Sequence, residues 1–137
     1  MNIVNLRAIV SWIKREIQST ENPRLQKLQK AKILTEAPIQ ESEELVLQCS
    51  ILPPTLESEV TKIALLRCNL SAGKAEVADY ELLCILESLV LILCEEEMQE
   101  NLGFGLYKIT EAGGSPPMVD NKGRNIRVKD FYLHYTL

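Results

Sequence analysis

The stretch ELLCILESLVLILCEEE, residues 81–97, constrains this chain more than any other. From Leu82 to Cys94 it holds thirteen residues broken only by Glu87 and Ser88. A bilayer core needs about 20 apolar residues in a row, so the run is too short and too interrupted to span one. It is also longer than an ordinary strand. Glu76, Asp79 and Glu81 stand where the first turns of a helix favour acids. The spacing therefore predicts a helix from about Ala75 or Glu76 to Gln99, stopped by Asn101 and Gly103. Leu82, Leu86, Leu89 and Leu93 make one stripe on it, and Leu83, Val90 and Cys94 a second. Leu91 falls on the side that should be wet. A helix apolar almost all round must be covered on more than one side. Two covers are open to it: a core within one chain, or the surface of another subunit.

The rest of the chain reads as partners for that helix. Residues 2–18 carry Ile3, Leu6, Val10, Ile13 and Ile17 at spacings of three and four, an amphipathic helix that Asn2 could cap. STENPRLQKLQKAK has no clean period and reads as a connection with at most a short helical turn. A weak strand is expected around AKILTEA. ELVLQCSIL alternates, with Leu45, Leu47, Cys49 and Ile51 on one face, as a half-buried strand does. Pro53 and Pro54 should end it in a hairpin loop. TKIALLRCNL follows as a strand with Ala64, Leu66, Cys68 and Leu70 on one face. After the long helix come FGLYKITEA, the loop GGSPPMVDNKGR, and NIRVKDFYLHYTL. The apolar phase of the last segment switches at Lys129–Asp130. A β-bulge there would turn Ile126, Val128, Phe131, Leu133 and Tyr135 to the core. These elements predict a single α+β domain over residues 1–137. Its mostly antiparallel sheet of four to five strands carries an N-terminal helix and one long central helix packed on one face.

Few signs of chemistry accompany this pattern. Cys49, Cys68, Cys84 and Cys94 include no CxxC pair and all lie in apolar runs, so they read as reduced core residues rather than metal ligands. His134, the only histidine, alternates with the apolar residues of its strand and should point away from them. SAGKAE lacks the first glycine and the Ser/Thr of a phosphate loop. Glu95, Glu96 and Glu97 read as a solvated helix end. No catalytic residue, cofactor site or metal site is expected. The net charge of −4 argues against general nucleic-acid binding. The N-terminal segment has neither an apolar signal core nor a small-residue cleavage site, so a cytoplasmic protein is expected. One run stands out: Lys122, Arg124, Arg127 and Lys129 place four cations within eight residues of an acidic chain. That run is either a solvated hairpin edge or an electrostatic contact for an acidic protein or neighbouring subunit, with nucleic acid a weaker third option.

Two local patterns carry a resemblance. VTKIALLRCNL passes through a short polar turn into YELLCILESLVLILCEEE, and NLGFGLYKI leads through a Pro/Gly loop into GRNIRVKDFYLHYTL. With the early helix and the chain length, this order resembles the tail terminator, or tail completion, proteins of tailed bacteriophages and related contractile particles. The resemblance covers nearly the whole chain as a pattern and transfers no individual functional residue. It implies a non-catalytic virion protein, assembled in the bacterial cytoplasm, that forms a ring, usually of six copies, at the head-proximal end of the tail tube. Such a ring stops tube polymerisation and joins the tail to the head. Its implied partners are itself, the tube protein, and head-completion or sheath proteins, with neither membrane nor specific nucleic acid among them. Lys122, Arg124, Arg127, Lys129 and Leu91 are the candidate protein-contact residues. The alternative is a small cytoplasmic adaptor or chaperone that binds one protein through a sheet edge or the long helix.

Overall fold

A computed structural model describes residues 3–19, 21, 23–30, 32–34, 45–57, 61–73, 79–94, 106–116, 118–119 and 123–136. The first helix, α1 (Ile3–Ser19), buries Ile9, Val10, Trp12, Ile13 and Ile17, a wider stripe than spacing alone picked out. The side chains of Ile3 and Leu6 lie outside what is described. Pro23 opens a short helix, α2 (Pro23–Gln26), as suits a residue with no N–H to lose at a helix start. A 3-10 turn over Lys27–Lys30 continues it and drives Leu28 into the core. The Gln29 amide donates to the carbonyl of Ile17 at 3.0 Å, and Gln18 donates to the carbonyl of Gln29 at 3.1 Å. Those bonds satisfy α1's last turn and fold the connection back onto it.

Five strands form one ladder, in the order β1 (Lys32–Leu34), β2 (Val46–Glu57), β3 (Thr61–Ala72), β6 (Asn125–Thr136), β4 (Leu106–Gly114). The two-residue β5 (Met118–Val119) extends the β4 edge along Ile126 and Asn125 of β6. All pairings are antiparallel except that of β1 with β2. The fold is α+β, as the order of elements predicts, with α1, α3 and Leu28 of the 3-10 turn packed into one core on one face of the sheet. The long helix α3 (Asp79–Leu93) lies over β3, β6 and β4, while α1 lies over β1 and β2. The expected flanks of α3, residues 75–78 and 95–99, fall outside the described residues, and Glu95–Glu97 with them.

Two expectations are corrected. Pro53 and Pro54 do not end β2, which runs on to Glu57. The ladder jumps from Leu52↔Leu65 to Leu56↔Ile63, so three residues of β2 face one of β3. Prolines fit such an irregularity because no ladder bond needs their missing N–H. Likewise, β6 has no bulge at Lys129–Asp130: it pairs with β3 residue for residue from Asn125 to Thr136. The bulges sit on its other neighbour, where Tyr107 and Ala112 are the extra residues of β4. Gly113, at φ 155°, follows the second bulge in a backbone that other residues rarely adopt. With its phase unbroken, β6 turns Phe131 and Leu133 to the core and puts Ile126 and Val128, half-buried, on the opposite face. Tyr135's side chain lies outside what is described. The odd positions Arg127 and Lys129 therefore share the helix-covered face, opposite buried Leu70 and Cys68.

Candidate interaction surfaces

Charge on a covered face has to be answered locally. The Lys129 side chain is only 15% exposed, and its ammonium pairs with Glu111 of β4 and lies 4.0 Å from the Glu87 carboxylate of α3. Arg127 donates to the carbonyl of Ser115 at 3.2 Å, and Arg124 to the hydroxyl of Ser71 at 3.1 Å. Lys122 lies outside the described residues. The basic run is thus not one exposed loop. Its three described cations diverge: Lys129 goes under α3, Arg127 to the turn after β4, and Arg124 across to β3. Intramolecular partners on different elements separate what looks contiguous in sequence.

The outward side of α3 is different. Leu91 is 70% exposed, as its phase predicts. Around it lie half-buried Leu83 and Cys84, and Glu87 with its side chain 56% exposed, while half-buried Val90, Ile92 and Cys94 pack against the core. Inward, Leu82, Ile85, Leu86, Leu89 and Leu93 are core. Ser88 is buried as well, and its hydroxyl donates to the Cys84 carbonyl at 3.0 Å, which satisfies it without a partner outside the helix. The inner side of α3 thus accounts for the core. Its outer side keeps a short apolar strip, exposed Leu91 with half-buried Leu83 and Cys84, beside Glu87.

A second surface is the sheet face away from the helices. Among the described residues no helix packs on it. Leu52, Leu65, Ile126 and Val128 are half-buried there, and Tyr132 is 39% exposed. At its centre the Arg67 guanidinium donates twice to Asp130, at 3.0 and 3.1 Å. That hydrogen bonding and the charge of Asp130 hold the Arg67 proton more firmly than usual. Sequence reading missed this pair, whose only signal is a charged position in each of two strands that register sets opposite one another. Nearby, Thr110 Oγ1 and His134 Nε2 are 2.9 Å apart, and the Tyr132 and His134 rings meet edge to face at 6.4 Å. Burial, and then the charge of Lys108, pull the His134 pKa below its ordinary value.

The cysteines sit on the other side of the sheet from this histidine. Cys49 and Cys68 are buried cross-strand neighbours in the core. The hydrogen bond with Cys49, followed by burial, pushes the Cys68 thiol well above its ordinary pKa. Burial raises Cys94 too. Cys84 and Cys94 are half-buried on α3, a correction to the expectation that all four are core. The sheet thus separates His134 from every cysteine, and the shifted thiols hold their protons, the reverse of what a Cys–His nucleophile needs. Among the described residues no group of three or more His, Cys, Asp or Glu is placed to hold a metal ion, and no helix is long and apolar enough to cross a membrane. The chain matches no family model, and no curated protein is significantly similar to it.

Proposed function

We propose that this protein is a ring-forming structural subunit of the tail-terminator kind, capping a phage or phage-like tail tube and presenting a face to the head. The observation that carries the reading is the outer strip of α3, with Leu91 70% exposed on a helix whose inner side already supplies the core. A ring subunit needs apolar surface beyond its own core, because each copy must bury part of itself against the next. The α+β architecture, with α1 and α3 on one sheet face, agrees with the element order behind the resemblance. Lys129, locked beneath α3, serves folding in this reading, and docking falls to the surfaces that stay accessible.

The test is tube assembly. Cognate tube protein polymerised with and without this chain should give capped tubes of limited length only when the chain is present, seen by electron microscopy. Leu91→Glu should abolish the effect while leaving the circular dichroism of the monomer unchanged, because the side chain is exposed in the isolated subunit. Tubes indifferent to the protein, together with a monomer that captures one partner in a 1:1 complex, would replace this reading with that of an adaptor.

A further inference from the structure

The buried thiols of Cys49 and Cys68 stand apart from the surfaces on which the ring reading rests. We propose that they are a latent disulfide: an oxidant of the disulfide class, such as oxidised glutathione, joins them into one covalent staple between β2 and β3 inside the folded core.

Register supplies the geometry. Cys49 and Cys68 are direct partners in the antiparallel β2–β3 ladder. Directly opposed residues in such a ladder have Cα atoms about 4.5 or 5.5 Å apart, and disulfides span about 4.4–6.8 Å. Both side chains are fully buried in the same core, and one thiol hydrogen-bonds to the other, so the two sulfurs face each other. The pairs Leu47↔Leu70 and Ile51↔Leu66 flank them on the same face and hold that alignment from either side. Cys84 and Cys94 offer no such pair. Ten residues apart along α3 and its last turn, they lie roughly 15 Å from each other, out of bridging range.

The exchange balances. One cysteine thiolate attacks a sulfur of oxidised glutathione and releases one glutathione thiolate. The second cysteine thiolate attacks the cysteine sulfur of that mixed disulfide and releases the other. The two protons lost by the cysteines go to the two leaving thiolates. Burial and the raised Cys68 pKa make the first attack rare in the closed fold, so it proceeds through openings of the ladder. Reclosure then favours the bond, because the strands hold the two sulfurs side by side. Joining residues 49 and 68 closes a loop of about 20 residues, which by chain entropy alone favours the folded state roughly a hundredfold. Strain subtracts from this, since opposed Cβ atoms in a ladder lie about 4.5–5.5 Å apart and a disulfide draws them to about 3.5–4.5 Å. Such a staple stays open in reducing surroundings and closes in oxidising ones.

The test is an exchange equilibrium with glutathione. In the full chain carrying Cys84→Ala and Cys94→Ala, Cys49 and Cys68 are the sole thiols. The protein is held at fixed ratios of reduced to oxidised glutathione, in native buffer and in concentrated guanidinium, and equilibrium is approached from both the reduced and the oxidised protein. Acid quenching, alkylation and intact-mass measurement then count dithiol, mixed disulfide and intramolecular disulfide. The intramolecular bond should be favoured at least tenfold more in native buffer than in guanidinium. A smaller preference, or glutathione-capped or intermolecularly linked protein as the main native product, overturns the proposal. Should the double variant lose its native circular dichroism, the unaltered chain is read by peptide mapping in the same two solvents. The Cys49–Cys68 link must then be the main native product, and any other pairing in its place overturns the proposal.

Discussion

Strand β3 has one backbone and two environments. Ala64, Leu66, Cys68, Leu70 and Ala72 are fully buried under the helices, whereas Ile63, Leu65, Arg67, Asn69 and Ser71 on the alternate positions are half-buried. Among the described side chains the covered face holds apolar groups, the buried thiols of Cys49 and Cys68, and the cations Arg127 and Lys129, answered by a carbonyl and by acids. The second face keeps aliphatic residues beside a central ion pair and a histidine. The contrast shows how the domain allocates its material. Among the described residues, α1, α3 and Leu28 cover one side of the sheet, and the other side holds mostly half-buried residues.

Deleting side chains on the two faces should give the largest difference. Phe131→Ala should cost about 3–5 kcal/mol and Leu66→Ala about 2–5, since each leaves a cavity in the core. Leu65→Ala, one residue along β3 and half-buried, should cost only about 1 kcal/mol. Chemical denaturation of the monomer reads all three. If Leu65→Ala proved as costly as Leu66→Ala, the second face would be core as well, and no surface would be left for another subunit.

A smaller effect sharpens the same contrast. Arg67 and Asp130 are partly exposed, with side-chain exposures of 43% and 19%, so their bidentate geometry acts against solvent screening. A double-mutant cycle with Arg67→Met and Asp130→Asn should return a coupling of about 0.5–1 kcal/mol that shrinks as salt rises. A coupling of several kcal/mol, insensitive to salt, would mean that the pair is desolvated in the monomer.

Much of this division was legible in the sequence. Alternation identified the buried positions of β3, Leu47 and Cys49 of β2, and the helical period identified both α3's inner face and the outward Leu91. Legibility failed where a residue's fate depends on a distant strand. The apolar phase of β6 misled because Lys129 can lie on the covered face only if Glu111 and Glu87, from two other elements, reach it. Pro53 and Pro54 looked like a loop because nothing local reveals that their strand is irregular opposite Ala64. The basic run looked like one patch because sequence adjacency hides the distant partners, Glu111, Ser115 and Ser71, that draw its described cations apart. Arg67 and Asp130 become a pair only through the β3–β6 register.

The smallest expected effect probes the open face through its histidine. His134 is partly buried there, beside Lys108, and both circumstances disfavour the imidazolium. The folded chain therefore binds this proton less readily than the unfolded chain, whose histidine titrates near the ordinary value of about 6.5. Between the folded pKa and that value the unfolded state carries more protons, so stability rises with pH across the window. The penalty is fully present below the folded pKa and gone above the unfolded one. Because the chain has a single histidine, one imidazole resonance in a proton NMR titration reports the site without assignment work. Its midpoint should fall below 6.5, and Lys108→Met should raise it by removing the lesser cause. His134→Gln should flatten the matching step in stability against pH. A midpoint at or above 6.5 would show this part of the face to be as wet as an ordinary surface.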